Sequence, residues 1–231
     1  MNLKDKLVSS YLAFDYHLED DSPIHEIRKK AIHTFEEKGF PTKKEEDWKY
    51  TSLKSILNKD YSVFPKGDKE VKFKKVRNYF LHDIDSYKLV FIDGIYSSFL
   101  SETTHDGLDI CLLSAALSKS KYKAVIENYY NKAAAKNSIS SLNTAFAREG
   151  AYINIPKNKE VEKPIEIINF STCNESALMV QPRNLIVVGE NAHVQIIERH
   201  QSLTSNPVFT NSVTEILKTG FDVRLWCLSI I

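Results

Sequence analysis

Two histidines and a cysteine in the second half of the chain are candidates for binding a metal ion. His193 and His200 lie seven residues apart in strand-like sequence, and Cys173 precedes them in a turn-like segment. In an extended strand, an odd separation places two side chains on opposite faces of the sheet. The chain also lacks the common spacings C-x-x-C, H-x-x-x-H and H-E-x-x-H. We therefore expect no metal site made within this chain alone.

Carboxylates are candidates for acid–base catalysis, which needs two groups held at a defined separation. The candidates are Asp93, Glu149, Glu162, Glu166 and Glu198. The sequence defines no catalytic pair among them. It also lacks G-x-S-x-G, a P-loop and G-x-G-x-x-G, the patterns of a nucleophilic serine and of nucleotide binding. We therefore expect that the chain is not an enzyme.

The segment Pro41–Leu53, P-T-K-K-E-E-D-W-K-Y-T-S-L, is charged, helix-like and carries two large aromatic residues. Trp48 and Tyr50 could dock a partner, because both residue types are enriched in interface hot spots. Alternatively, Trp48 could anchor the helix on the domain core while the charges face water. A nucleic-acid platform is disfavoured, because 31 Lys and Arg residues are balanced by 30 Asp and Glu residues.

Asn143 is a polar residue near the end of a helix-like segment. Its amide could bind a ligand, but the interpretation we favour is that it satisfies a backbone group where the helix meets the next strand.

The chain has three cysteines, Cys111, Cys173 and Cys227, an odd number at wide spacing. This pattern favours reduced thiols and a cytoplasmic protein over a disulfide framework. We also find no secretory signal and no run long enough to span a bilayer, so we expect no membrane association.

The first half of the chain has helical periodicity. Apolar residues from Leu3 to Phe14 recur every three or four positions, and a second stripe follows Ser22-Pro23 and stops at Gly39. Further helices are predicted from Thr42 or Lys44, over residues 53–57, over about 114–135 and over 141–148. One strand, residues 87–92, is followed by the turn signal Asp93-Gly94.

After Gly150 the pattern changes to short β-branched runs separated by turn residues. Strands are predicted over residues 151–155, 165–170, 184–188, 194–198 and 212–216. No fixed repeat is visible, so a sandwich, a barrel and a solenoid all remain possible. The stacked coils of a β-helix would bury such Ile and Val runs in a ladder, and a jelly roll would use them equally well.

Six short motifs occur in order along the chain: P-T-x-K-x-E-x-W-K-Y-T-x-L at Pro41–Leu53, V-F-x-D-G at Val90–Gly94, L-N-x-A-F-x-x-x-G at Leu142–Gly150, E-x-P-I at Glu162–Ile165, P-R-x-L-I-V at Pro182–Val187 and I-I-E-x-H at Ile196–His200. Together they resemble the SufB/SufD family of the SUF iron–sulfur cluster assembly system. Each motif is moderately specific, and their shared order over about residues 20–216 makes the resemblance strong. The acidic residues before W-K-Y-T favour the SufD branch over SufB.

The resemblance implies an α+β fold, in which an N-terminal helical domain precedes the first coils of a parallel β-helix. It implies a non-catalytic scaffold subunit that assembles with SufB and SufC. An iron–sulfur cluster would form on the complex, with no cofactor held by this chain alone. The motif residues, which we expect to be architectural, are Trp48, Tyr50, Asn143, Arg183 and Glu198.

The resemblance ends near Ile216. The remainder, residues 217–231, does not resemble the next coil, and the SufC-docking domain of the family has no counterpart. We therefore expect a C-terminally truncated or frameshifted product. The resulting division is a helical region (1–85), a strand-turn and helical connector (86–150), the start of the β-helix (151–216) and an atypical tail (217–231). Two rival functions remain, a stand-alone protein-interaction module and a β-helix enzyme of acyltransferase or lyase type.

Overall fold

The computed structural model describes residues 2–15, 23–63, 73–103, 107–130, 137–147, 149–172, 176–218 and 223–230. Helices dominate the first part of this chain and strands the second. The helices are α1 (Leu3–Asp15), α2 (Pro23–Lys38), α3 (Lys54–Leu57), α4 (Phe73–Val76), α5 (Leu113–Leu117), α6 (Ser120–Tyr129) and α7 (Ser138–Phe146). The strands are β1 (Tyr61–Ser62), β2 (Tyr87–Ile92), β3 (Ile95–Tyr96), β4 (Asp109–Leu112), β5 (Ala151–Ile155), β6 (Ile165–Ser171), β7 (Ala177–Val180), β8 (Arg183–Val188), β9 (Val194–Ser202), β10 (Val208–Thr210), β11 (Val213–Lys218) and β12 (Val223–Ile230).

The N-terminal helices pack on the rest of the chain through one apolar cluster. Leu7 of α1, Phe35 of α2 and Leu142 of α7 are buried together with Met179 of β7. The helix α2 ends at Gly39, whose φ of +68° closes the last turn in a conformation that glycine adopts without strain. The helical part and the strand part therefore share a hydrophobic core. Within the described residues, no helix is long and apolar enough to cross a membrane.

The strands form three sheets. We call them sheet I (β1-β7-β10), sheet II (β11-β8-β5-β4) and sheet III (β12-β9-β6-β2-β3). From β5 onward, consecutive strands visit the sheets in the repeating order II, III, I. Where two of these later strands, β5 to β12, pair with each other, they are parallel and roughly 30 residues apart: Leu185 pairs with Tyr152 on one side and with Glu215 on the other. Each circuit of the three sheets therefore adds one strand to each sheet.

The space between sheets II and III is filled with aliphatic side chains. Ile153, Ile167, Ile186 and Ile196 are fully buried in the main apolar cluster. Because strand side chains alternate between faces, each run places every second residue in this interior. A fully buried Ile or Val contributes roughly 1.5–3 kcal/mol relative to an exposed one. The β-branched runs are thus the main source of stability for the stack.

Two glycines allow the stacked strands to approach closely. A Cβ atom at Gly150 would lie 1.5 Å from the carbonyl oxygen of Arg183, and one at Gly189 would lie 2.5 Å from the backbone nitrogen of Lys157. No side chain fits at either position without displacing backbone. The turn predicted at Asp93-Gly94 is present between β2 and β3, and both residues have positive φ.

The α+β class predicted from the sequence is confirmed, and each of the five strands predicted after Gly150 is present. The helix predicted from Thr42 or Lys44 is wrong, since the segment contains only a 3-10 turn, Glu46–Trp48. The strands β4, β7 and β10 were not predicted. Within the stretch that the sequence marks as an atypical tail, β12 forms a strand that pairs in parallel with β9.

Candidate functional site

Arg183 begins β8, is completely buried, and donates hydrogen bonds to three side chains. Its Nη2 donates to Oε2 of Glu215 at 2.7 Å. Its Nη1 donates to Oδ1 of Asn143 at 3.2 Å and to the hydroxyl of Thr144 at 3.1 Å. The guanidinium carbon lies 4.6 Å from the centre of the Tyr130 ring. We call these five residues the Arg183 cluster.

Three elements bring the Arg183 cluster together. The strands β8 and β11 place Arg183 and Glu215 on the face of sheet II that meets the helices. The helix α7 supplies Asn143, and its first turn is capped by Asn137, whose side chain accepts from the Ser140 amide at 2.8 Å. An ion pair that is removed from water needs additional hydrogen bonds to offset the loss of hydration. The amide and hydroxyl of α7 provide those bonds.

Asn143 is fully buried and joins the helix to two strand ends. Its Nδ2 donates to the carbonyl of Pro182 at 2.9 Å and to the carbonyl of Asn211 at 2.6 Å. Its Oδ1 accepts from Arg183, so every polar atom of the side chain is occupied by protein. Asn211 returns the contact by donating to the carbonyl of Ile139 at 2.9 Å. The side chain therefore satisfies backbone groups where helix α7 meets the strands.

Glu198 lies on the opposite, interior face of the sheets, and its carboxylate accepts three hydrogen bonds. Oε1 accepts from Ser212 at 2.6 Å and from Nε2 of His200 at 3.1 Å, and Oε2 accepts from Thr214 at 2.5 Å. Burial raises the pKa of this carboxyl, but the bonds from His200, Ser212 and Thr214 outweigh burial and hold the pKa below its usual value. Asn184 extends this Glu198 cluster by donating to Thr214 at 3.0 Å.

The serine, histidine and carboxylate of the Glu198 cluster are not arranged as a nucleophilic triad. In a triad the histidine lies between the serine and the carboxylate, so that it can take the serine proton. Here the carboxylate lies between Ser212 and His200, and it is 3% exposed. The hydroxyl of Ser212 therefore donates to the Glu198 carboxylate and not to the imidazole of His200. The arrangement stabilises a buried charge and does not activate a nucleophile.

A second buried ion pair lies on the outer face of sheet III. Nη1 of Arg199 lies 3.4 Å from Oε2 of Glu166, and the hydroxyl of Ser86 donates to Oε1 of Glu166 at 2.5 Å. Nη2 of Arg199 also donates to the carbonyl of Tyr79 at 2.5 Å. This pair holds the chain before β2 against the sheet. Its charged groups, like those of the other two clusters, are occupied by protein partners.

The aromatic turn, which we define as residues 41–53, is built from local bonds. The Thr42 amide donates to Oε1 of Glu45 at 2.9 Å, and the Trp48 amide donates to the Glu45 carbonyl at 3.0 Å. Trp48 is half-buried, whereas Tyr50 is 90% exposed. The ring of Tyr50 has Lys49 Nζ at 5.6 Å from its centre. The structure therefore separates Tyr50 from the buried motif residues.

The structure places the candidate metal ligands apart. His193 is exposed, whereas His200 faces the interior and bonds to Glu198. Cys173 lies outside the described residues. In the described part of the chain, no group of three His, Cys, Asp or Glu side chains is positioned to hold a metal ion. Cys111 is a partly buried free thiol, and burial raises its pKa, which disfavours the reactive thiolate.

Sequence reasoning missed the partners of the buried charges. Glu215, Glu166 and Arg199 were not identified as members of clusters, although each is a buried charged residue within a strand. The signal that could have found Glu215 is the separation of roughly 30 residues between paired strands. Since Val213 pairs with Arg183, a charged residue two positions further on can reach the guanidinium from the neighbouring strand.

Comparisons with known proteins indicate the family of the chain. Residues 1–167 match the family described as the SufBD protein N-terminal region. The iron–sulfur cluster assembly SufBD family protein of Synechocystis sp. is 29% identical over 206 residues, which cover 85% of this chain and 45% of that protein. The iron–sulfur cluster assembly protein SufD of Escherichia coli is 25% identical over 181 residues, which cover 75% of this chain and 38% of that protein.

The chain thus spans less than half the length of these two relatives. The family match, by contrast, extends over more than half of the chain and includes α1 to α7 together with β1 to β5. The family match therefore covers the helices and the first strands of the stack, and the chain belongs to the SufB/SufD family of iron–sulfur cluster assembly proteins.

Proposed function

We propose that the chain is a scaffold subunit of SufD type in iron–sulfur cluster assembly. The observation that carries this proposal is the family match over residues 1–167, supported by the names of the two relatives. The order of the acidic residues and W-K-Y-T favours SufD over SufB within the family. The cluster is the cargo of the assembly and, in this proposal, is not held by this chain alone.

We infer that the three sheets are the opening coils of a parallel β-helix. Supporting this inference, consecutive strands visit sheets II, III and I in turn, and every pair from β5 to β12 within a sheet is parallel. A solenoid stabilises each coil through its neighbours, so a stack of this kind offers extended sheet faces and edges for assembly with other subunits.

The proposed role is non-catalytic. General acid–base or nucleophilic catalysis needs groups that can reach a substrate. The strongly bonded ionisable groups, Arg183, Glu198 and Glu166, are 0–3% exposed and bonded to protein. Such groups favour a structural role. The wide spacing of three cysteines supports a reducing, cytoplasmic setting for this work.

The proposed partners are SufB and SufC. The experiment that tests them is co-expression of this chain with SufB and SufC of the same genome, followed by affinity purification on a tag placed on SufB. Size-exclusion chromatography with light scattering then gives the composition of the complex. Escherichia coli SufD, with its own SufB and SufC, serves as the positive control.

We expect this chain to co-elute with SufB. Co-elution with SufB alone would assign the retained interface to that subunit, and co-elution only when SufC is present would assign it to SufC. If the chain folds but elutes apart from both, while the control complex forms, the scaffold proposal is wrong for this chain. The favoured function would then be that of a stand-alone protein-interaction module.

A further inference from the structure

The interior of the stack changes from apolar to polar along sheet III. On the inward face of β9, Ile196 is followed by Glu198 and His200, and the residue of β6 in register with His200 is Asn169. Side chains at paired positions of parallel strands project to the same face, so Asn169 and His200 lie side by side. Asn169 is 7% exposed, and the side chain of His200 is 11% exposed. The interior therefore contains a polar compartment beside the aliphatic cluster.

A chain of hydrogen bonds runs through this compartment, from sheet II to sheet III. The Ala151 amide donates to Oδ1 of Asn184 at 3.0 Å, and Nδ2 of Asn184 donates to the Thr214 hydroxyl at 3.0 Å. The Thr214 hydroxyl in turn donates to Oε2 of Glu198, whose Oε1 bonds to Nε2 of His200. Each of these bonds is directed toward the Glu198 carboxylate, and the chain reaches the imidazole of His200.

The bond with Glu198 determines which nitrogen of His200 carries a proton. Burial raises the pKa of the Glu198 carboxyl, but the bonds from His200, Ser212 and Thr214 outweigh burial and hold the pKa below its usual value, so the group is ionised near neutral pH. An ionised carboxylate only accepts hydrogen bonds, so Nε2 of His200 is the donor. In the neutral imidazole, Nδ1 is then an acceptor with a lone pair.

The compartment contains two polar atoms that the protein leaves unpaired. Nδ1 of His200 and Nδ2 of Asn169 are buried, and neither bonds to any other residue that the structure describes. One atom is an acceptor and the other is a donor. Buried polar atoms are usually satisfied by protein or by ordered water. The next pair on the same face, Ser171 and Ser202, consists of small side chains, which favours room for a ligand beside the ring.

We propose that a water molecule binds inside the stack between His200 and Asn169. It donates to Nδ1 of His200 and accepts from Nδ2 of Asn169, so both atoms gain a partner and the chain of hydrogen bonds extends to β6. The pairing of one acceptor with one donor selects water over an ion. A metal cation would bind the lone pair but face the N–H group of Asn169, and an anion would do the reverse. This internal site goes beyond the scaffold role, which does not specify it.

The test uses the full chain in solution. Long-range proton–nitrogen NMR spectra of the histidine rings, recorded near neutral pH and assigned with His200→Gln, show which nitrogen of His200 carries the proton. Nuclear Overhauser contacts between the ring and water detect a bound water, and magnetic relaxation dispersion of the water oxygen counts long-lived waters. The site variant is Asn169→Leu, which replaces the amide with an apolar group of similar size. The matched control is Asn58→Leu, at an exposed asparagine.

We expect a proton on Nε2 and none on Nδ1, with a contact between ring and water in the wild type and in Asn58→Leu. Asn169→Leu should lose this contact together with a single long-lived water. The wild-type spectra decide the proposal if Asn169→Leu does not fold: absence of the contact in wild type overturns it, as does its persistence in folded Asn169→Leu.

Two further outcomes would assign the site to a different occupant and so overturn the proposal. If both ring nitrogens of His200 carry protons, the ligand must accept from His200 and from Asn169, as a chloride ion does. If a chelator such as EDTA shifts the ring signals of His200, the ligand is a metal ion.

Discussion

The Arg183 cluster and the aromatic turn hold motif residues of one chain in opposite environments. Arg183 is completely buried and bonds to Glu215, Asn143 and Thr144, whereas Tyr50 is 90% exposed on a turn held by local backbone bonds. Both belong to motifs that mark the same family. The contrast shows that a shared motif indicates membership of a family. Whether folding depends on a motif residue is determined by the contacts of that residue.

The Glu198 cluster is intermediate between these two regions. Its carboxylate is buried like Arg183, but its partners are hydroxyls and a histidine instead of an opposite charge that is permanent. We therefore expect the loss of stability on mutation to fall from Arg183 to Glu198 to Tyr50. The following predictions test that order.

The largest effect is expected for Arg183→Met. The substitution removes the guanidinium from the buried Glu215 carboxylate, and breaking a buried ion pair costs about 3–5 kcal/mol. Urea denaturation measures the free energy of unfolding. Arg77→Met, at an exposed arginine, is the matched control and should change it by less than about 0.5 kcal/mol.

The double variant Arg183→Met/Glu215→Leu separates the ion pair from its surroundings. Replacing both members of a buried pair with apolar residues is often nearly neutral, so the double variant should be more stable than Arg183→Met. If the two substitutions simply add, Glu215 does not depend on Arg183, and the description of the cluster as one unit fails.

The next effect is expected for Gly150→Ala. The new Cβ would lie 1.5 Å from the Arg183 carbonyl oxygen, so a strand must shift, and overpacking of this kind costs about 3 kcal/mol. The control is Gly94→Ala, where a Cβ meets open space and only the positive φ is strained, at about 1–2 kcal/mol. Thermal and urea unfolding of both variants checks the order. Equal losses would mean that close approach of the strands at Gly150 is not required.

The strands after Gly150 could be predicted from the sequence, because burial of every second residue gives each strand its own pattern of alternating apolar residues. Ala151–Ile155 is predicted with the observed bounds. The strand β10 was missed for the opposite reason: Val208–Thr210 is short, and it is stabilised by parallel pairing with β7, which lies earlier in the chain. A short segment of sequence does not reveal a strand that is stabilised by pairing with another strand roughly 30 residues away.

The candidate site shows the same limit. Arg183 and Glu198 were identified from motifs, but their partners Glu215 and Thr214 could not be assigned before the register was known. The helix prediction for the aromatic turn was wrong for another reason. Its composition favours a helix, yet the Thr42 hydroxyl and the Glu45 carboxylate bond to backbone amides and stabilise turns instead.

A smaller loss is expected for Glu198→Gln. The amide keeps one acceptor oxygen but loses the other, so a buried donor is left without a partner, at about 1–2 kcal/mol near neutral pH. Because the folded pKa of Glu198 lies below its unfolded value near 4.5, the contribution of the ionised group is complete above that value. It is lost as the pH falls through the folded pKa.

The measurement is urea denaturation of wild type and Glu198→Gln between pH 7 and about pH 3. The difference in unfolding free energy should shrink only below about pH 4.5. Glu162→Gln, at an exposed carboxyl, should show no such trend. A difference that is constant with pH would show that the charge of Glu198 does not contribute to stability.

The smallest effect is expected for Tyr50→Ala. A side chain that is 90% exposed loses little contact on truncation, so the free energy of unfolding should change by less than about 0.5 kcal/mol. Tyr11→Ala is the matched control, because the same residue type is 2% exposed there and its removal should cost about 3–5 kcal/mol. A loss above about 1 kcal/mol for Tyr50→Ala would place its ring in the packed structure after all. With the expected result, a motif tyrosine that folding does not require remains available for contacts outside the chain, which is the property that distinguishes the aromatic turn from the Arg183 cluster.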